Sequence, residues 1–141
     1  MKKLILGLLV LFFALSSCKK YEDGPTISFL SKKSRVVNVW QLDKKFENGK
    51  ELTLTADDKD DYIEFTKENK VKYTVVSGST SITVEGTWKF DSNKEYIITE
   101  FSFSGVTSID SLRILRLKSN ELWVEEKDGN DVYKYYFVTK K

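Results

Sequence analysis

From Asn38 onward, β-branched and aromatic residues alternate with polar ones, and short turn clusters interrupt the alternation at regular intervals. This pattern predicts eight strands, over residues 38–46, 61–66, 71–77, 81–90, 95–103, 111–117, 121–127 and 132–139, with a short extended piece at 51–55. Asn48-Gly49 is the strongest hairpin signal, and Asp128-Gly129-Asn130-Asp131 is a second turn of similar kind. Within 81–90, Ile82, Val84, Gly86, Trp88 and Phe90 share one face, whereas Thr83, Glu85, Thr87 and Lys89 share the other. That strand should be half-buried. Val71, Tyr73 and Val75 form a similar stripe, as do Leu122 with Val124, and Tyr133 with Tyr135 and Phe137. Ahead of the strands, residues 31–37 predict a short helix capped by Ser28 or Ser31. The acidic stretch 56–60 and the segment 104–110 are expected to be loops.

Nearly all the connections are hairpin-sized, so sequential strands should pair as an antiparallel meander; parallel neighbours would need crossovers of a dozen or more residues. Eight such strands either expose two sheet edges or close on themselves, and closure removes the hazard of an open edge. The expected fold is therefore all-β, an eight-stranded antiparallel up-and-down β-barrel with a short N-terminal helix. A barrel of that size has room for its own side chains or for one small ligand. Gly86, in mid-strand between Val84 and Trp88, either opens space inside or permits a close backbone approach or bulge. Tyr73, Val84, Gly86, Trp88, Tyr133 and Tyr135 are the candidate cavity-lining residues; core packing is the competing role for each of the large ones. Trp123 falls opposite Leu122 and Val124 and is expected to face outward.

The first segment reads as an address. Lys2 and Lys3 precede Leu4 to Leu15, which carry no charge. As a helix this run reaches only about 18 Å, short of the roughly 30 Å hydrocarbon layer, so it suits a secretory signal and not a membrane span. It ends in Leu15-Ser16-Ser17-Cys18, which resembles the lipobox of bacterial lipoproteins. The resemblance implies a signal peptide over 1–17, cleavage before Cys18, alkylation of its thiol by diacylglycerol, and a further acyl chain such as palmitate on the new amino group. Several chains anchor a protein stably where one does not. Residues 18–25 would be the lipidated cysteine and a polar tether, and 26–141 the folded domain. The expected location is the bacterial cell envelope, lipid-anchored, in the outer membrane.

The whole chain has 23 basic and 21 acidic residues. Removing Lys2 and Lys3 with the signal leaves a neutral domain, which lacks the excess of cations that nucleic-acid binding requires. Histidine is absent and Cys18 is the only cysteine, so there is no histidine base, no histidine-based metal site and no intrachain disulfide. No carboxylate pair marks a hydrolytic site. We expect no enzyme, no metal and no cofactor.

Residues 31–37, the Asn38-Val39-Trp40 start of the first strand, Gly86-Thr87-Trp88, and Ile114-Leu115-Arg116-Leu117 followed by Leu122 together resemble the bacterial lipocalin-like lipoproteins over residues 26–139. Lipocalins open the first strand with Gly-x-Trp; here Trp40 matches and Asn38 stands in the glycine's place. The resemblance implies that Trp40 closes the barrel floor and that the cup binds a small hydrophobic molecule, as a monomer. The alternatives are an envelope structural or interaction protein with a filled barrel, and an inhibitor of a protease or muramidase.

Overall fold

The computed structural model describes residues 30–141. The expectations for the signal segment, Cys18, the tether and Ser28 lie outside them. Helix α1 (Lys32–Val36) leads into β1 (Asn38–Glu47) and β2 (Lys50–Leu52); α2 (Ala56–Asp60) follows, then β3 (Tyr62–Phe65), β4 (Lys70–Ser77), β5 (Thr80–Phe90), β6 (Tyr96–Phe103), β7 (Val106–Leu117), β8 (Glu121–Asp128) and β9 (Asp131–Thr139). Every pairing is antiparallel, and each strand from β3 to β9 pairs with the next. The last strand returns to the first, Trp40 opposite Thr139 through Glu47 opposite Tyr133. The result is a closed eight-stranded up-and-down barrel, with β2 as a short flap on β1 beyond the point where β3 stops pairing.

One end is filled. Val36, Trp40, Phe65, Val71, Trp88, Ile97, Ile114, Leu117, Leu122 and Val124 form a continuous buried core there. Trp40 is fully buried, and its indole N–H donates to the Val36 carbonyl at 2.9 Å. The Trp88 N–H donates to the Thr66 carbonyl at 3.1 Å, and its ring meets Phe65 and Phe90 edge-on. Both large rings thus bury their area without stranding a donor. Helix α1 caps this end: Ser31 accepts from the Ser34 N–H, Lys33 Nζ reaches Asn69 Oδ1, Lys32 Nζ reaches the Lys94 carbonyl, and the buried Arg35 donates to the Leu117 carbonyl at 2.7 Å. The Asn38 amide donates to the Ser119 carbonyl, so the residue in the lipocalin glycine's place ties β1 to the loop after β7.

Two local expectations change, and a third holds with an added contact. The acidic stretch 56–60 is a helical turn, because Thr55 and Asp58 form a reciprocal capping box. β7 starts at Val106, not 111, so most of segment 104–110 is strand, turned by Ser104 and Gly105 at positive φ. Trp123 faces outward but is not a bare ring: it stacks on Tyr136 at 4.2 Å, with the Arg116 guanidinium 4.6 Å from its centroid.

Gly86 is a site of close approach. A Cβ there would lie 2.2 Å from the Glu100 carbonyl oxygen and 2.8 Å from Phe101 Cδ1. The ring of Phe101, its partner across the ladder, occupies the space. Gly86→Ala should destabilise the fold by about 1–3 kcal/mol, read as a lower urea midpoint at unchanged m-value, since the nearest obstacle is backbone and cannot swing aside. A midpoint equal to wild type would contradict this reading of the contact.

Candidate functional site

Two bulges decide which side chains reach the inside of the barrel. In β1 the register against β9 shifts between Leu42 and Lys44, so Asp43 is the extra residue. The parity of the strand reverses there: Leu42 opposes Phe137, and Lys45, not Lys44, opposes Tyr135. In β7 the register against β8 shifts between Ile114 and Arg116, which lets Ile114 and Leu117 both be buried while Arg113 pairs outside with Glu125.

Above the filled floor lies a cavity of about 390 Å³, within the range of small-molecule sites. Its apolar wall is Leu42, Ile63, Phe101, Leu112, Val124 and Phe137. Its polar side is Lys45, Asp58, Asp61, Asp110, Glu126 and the phenols of Tyr73 and Tyr135, with Thr99 between. The cavity opens toward the β4–β5 and β6–β7 turns, where Tyr73 is 40 % exposed.

The polar side is organised by phenol–carboxylate pairs. Tyr73 donates to Asp61 Oδ2 at 3.1 Å, and Asp61 Oδ1 accepts the Val76 N–H at 2.8 Å. Burial and the Asp61 charge push the Tyr73 hydroxyl up to about 12. Tyr135 is likewise pushed up, by burial and by Glu126, to which it is hydrogen-bonded. Glu126 itself is held above the usual carboxylate range by burial and by the nearby Asp110 charge. Asp58 is held below it by the hydrogen bonds from the Thr55 hydroxyl and N–H. Lys45 Nζ lies over the rings of Tyr133 and Tyr135, 5.8 and 5.6 Å from their centroids. Among the described residues, no three Cys, Asp or Glu side chains converge as a metal ion requires.

Of the six residues singled out from the sequence, Tyr73 and Tyr135 line this cavity. The other four lie elsewhere. Trp88 is on the inward face but one level too low, buried in the floor. Gly86 has its inward space taken by Phe101. Val84 opposes Tyr73 on the flank of the cavity without lining it. Tyr133 sits at the rim, donating to Glu47 Oε1 at 3.1 Å. Strand parity alone missed Lys45, because of the bulge, and missed Asp110, because β7 begins earlier than the sequence pattern suggests. Asp58 was expected in a loop and Asp61 at the start of a strand, neither as a lining group. The capping spacing Thr55-x-x-Asp58 was the signal that could have placed them on an ordered element.

The matched family model is that of the lipocalin-like domain, over residues 36–124, more than half of the chain. The chain belongs to the lipocalin-like family. The matched segment starts at the last residue of α1, carries Trp40 and the floor, and stops in β8, so the closing strand β9 lies beyond it. A comparison with curated proteins found no match.

Glu126 gives a test of the lumen's electrostatics. Its folded-state pKa is raised, so at pH 7 the charged group subtracts from stability, and the subtraction disappears as pH falls through that raised value toward its ordinary 4.5. Glu126→Gln should therefore raise the thermal midpoint at pH 7, with the gain shrinking to nothing near pH 4. A gain that persists unchanged in acid would contradict the assignment.

Proposed function

We propose that this lipocalin-like protein is a lipid-anchored binding module that holds one small, largely apolar molecule in its barrel. The observation carrying the reading is the 390 Å³ cavity with an apolar wall, above a floor packed tightly enough that the space is not a general looseness of the core. A barrel that served only as a scaffold would be expected to fill that level too. No enzymatic role is proposed, since the chain has no histidine and the lumen acids are engaged by hydroxyl and amide donors. We place the protein in the bacterial envelope as a monomer, held by lipid on Cys18.

The barrel and its core lie wholly within residues 30–141, so binding is best measured on the chain from Lys19 onward. The neutral dye N-phenyl-1-naphthylamine should bind saturably with enhanced fluorescence. Leu112→Trp, which puts a bulky ring in place of an aliphatic side chain on the cavity wall, should weaken it about tenfold with the circular dichroism spectrum unchanged. Dye binding that ignores this substitution would place the ligand elsewhere. For the anchor, Cys18→Ala should abolish incorporation of labelled fatty acid into the full chain; normal labelling of the variant would remove the lipid from the proposal.

One observation favours a second reading, a protein-contact role. Between β5 and β6 pairing stops at Gly86 opposite Phe101, and β7 pairs with β8 only from Arg113. The β6–β7 hairpin therefore projects with both edges unpaired, and carries Phe103, Val106 and Ile109, all more than 60 % exposed. In this reading Phe103→Ser with Ile109→Ser abolishes the contact while dye affinity is retained.

A further inference from the structure

The charges around the cavity specify what kind of molecule suits it, and this step rests on the ligand-binding reading. Five charged side chains line the space, one ammonium, Lys45, against the four carboxylates of Asp58, Asp61, Asp110 and Glu126. The donors that serve those carboxylates are neutral: Thr55 for Asp58, Tyr73 and the Val76 N–H for Asp61, Ser108 for Asp110 at 3.5 Å, and Tyr135 for Glu126. Among the described residues, the ion pairs within 4.0 Å join side chains that do not line the cavity, such as Lys72 with Glu85 and Arg113 with Glu125. The lumen thus holds three more acidic than basic groups, and the balancing basic excess lies on the rest of the neutral domain.

That excess is placed at one end of the space. The apolar wall lies toward the floor, and the acids lie toward the mouth, with Asp110 close enough to Glu126 to hinder its ionisation. A partly enclosed site with like charges facing each other favours a positive guest over a neutral one, and disfavours a negative one. A bare metal ion does not fit, because the carboxylates ring the space and do not converge. The tyrosine rings beside them add faces that attract organic cations, as the position of Lys45 over Tyr133 and Tyr135 illustrates.

We infer that the ligand is an amphiphile with a cationic head, its apolar body against Phe101, Leu112, Val124 and Phe137 and its ammonium or guanidinium group beside Asp110 and Glu126. Three probes with one tail and three heads test this by titration calorimetry at pH 7: octylammonium, octanol and octanoate. Octylammonium should bind about tenfold more tightly than octanol, octanoate more weakly than octanol, and added salt should narrow the spread. Glu126→Gln and Asp110→Asn should each lower the ratio of ammonium to alcohol affinity, whereas Glu85→Gln, outside the barrel and paired with Lys72, should leave the ratio as it is. The ratio, not the affinity, is the readout, and octanol binding by the same variant shows that its cavity is formed. Octanol binding with no preference for the ammonium, or with a preference that both lumen substitutions leave intact, overturns the inference about the head and spares the binding reading. Failure of all three probes to bind overturns both.

Discussion

The pairing of β1 along its two edges is the constraint on which the rest of the molecule depends. One edge of β1 serves β3 with its first half and β2 with its second; the other edge takes β9 along almost its whole length. A closed sheet has no free edge to absorb a mismatch, so inward and outward positions must agree all the way around. β1 meets that demand with the extra residue at Asp43. Without it, Lys44 and Phe46 would face the lumen and Lys45 would face water. With it, Phe46 packs outside on Tyr136, at 4.9 Å between centroids, and joins the Trp123 stack. One inserted residue therefore keeps Phe46 out of the lumen, sets which lysine reaches it, and builds the aromatic seam outside.

The same closure explains why one end is solid and the other hollow. At the floor, two indoles and Phe65 fill the cross-section, and each indole N–H meets a backbone carbonyl. A level higher, the inward positions include Thr99, Leu112 and Val124, and Phe101 packs against Gly86. The tyrosines that could collapse into the gap are held at the wall. Tyr73 is fixed by Asp61, and Asp61 by the Val76 N–H and by its place at the end of α2. The short helix thus acts on the cavity through a two-step hydrogen-bond chain, a supporting role that a flexible acidic loop would not supply.

Much of the fold was legible because hairpin turns and period-two alternation are local signals. Asn48-Gly49 and Gly129 turn with the positive φ their sequence suggests, and strand limits agree to within a residue or two for most strands. The site was far less legible, for three separate physical reasons. Parity says which face a residue occupies but not how high it sits, so Trp88 and Tyr135 looked alike although one is floor and the other is cavity wall. Bulges reverse parity without any fixed sequence mark, which hid Lys45. And in 104–110 the turn formers Ser104 and Gly105, with Ser108 and Asp110, mask the β-branched Val106, Thr107 and Ile109; β7 runs through them because Ser102, Phe101 and Glu100 of β6 pair opposite.

The position of α1 bears on how a ligand would arrive. The described chain enters at the solid end, where Ser31 begins the helix that caps the floor, while the cavity opens at the opposite end among the β4–β5, β6–β7 and β8–β9 turns. A lipid on Cys18 would attach the barrel through a segment that joins at its floor, and the simplest arrangement directs the mouth away from the membrane. In that proposed arrangement a guest reaching the mouth would cross water first. A strictly apolar molecule would partition into the bilayer behind the barrel, at about 0.8 kcal/mol per methylene, whereas an amphiphile with a charged head keeps a soluble population that the open end can intercept. In the proposed binding mode the carboxylates at the mouth would meet the head before the tail reached Phe101 and Phe137, so the order of contacts on entry would follow the order of polarity along the guest.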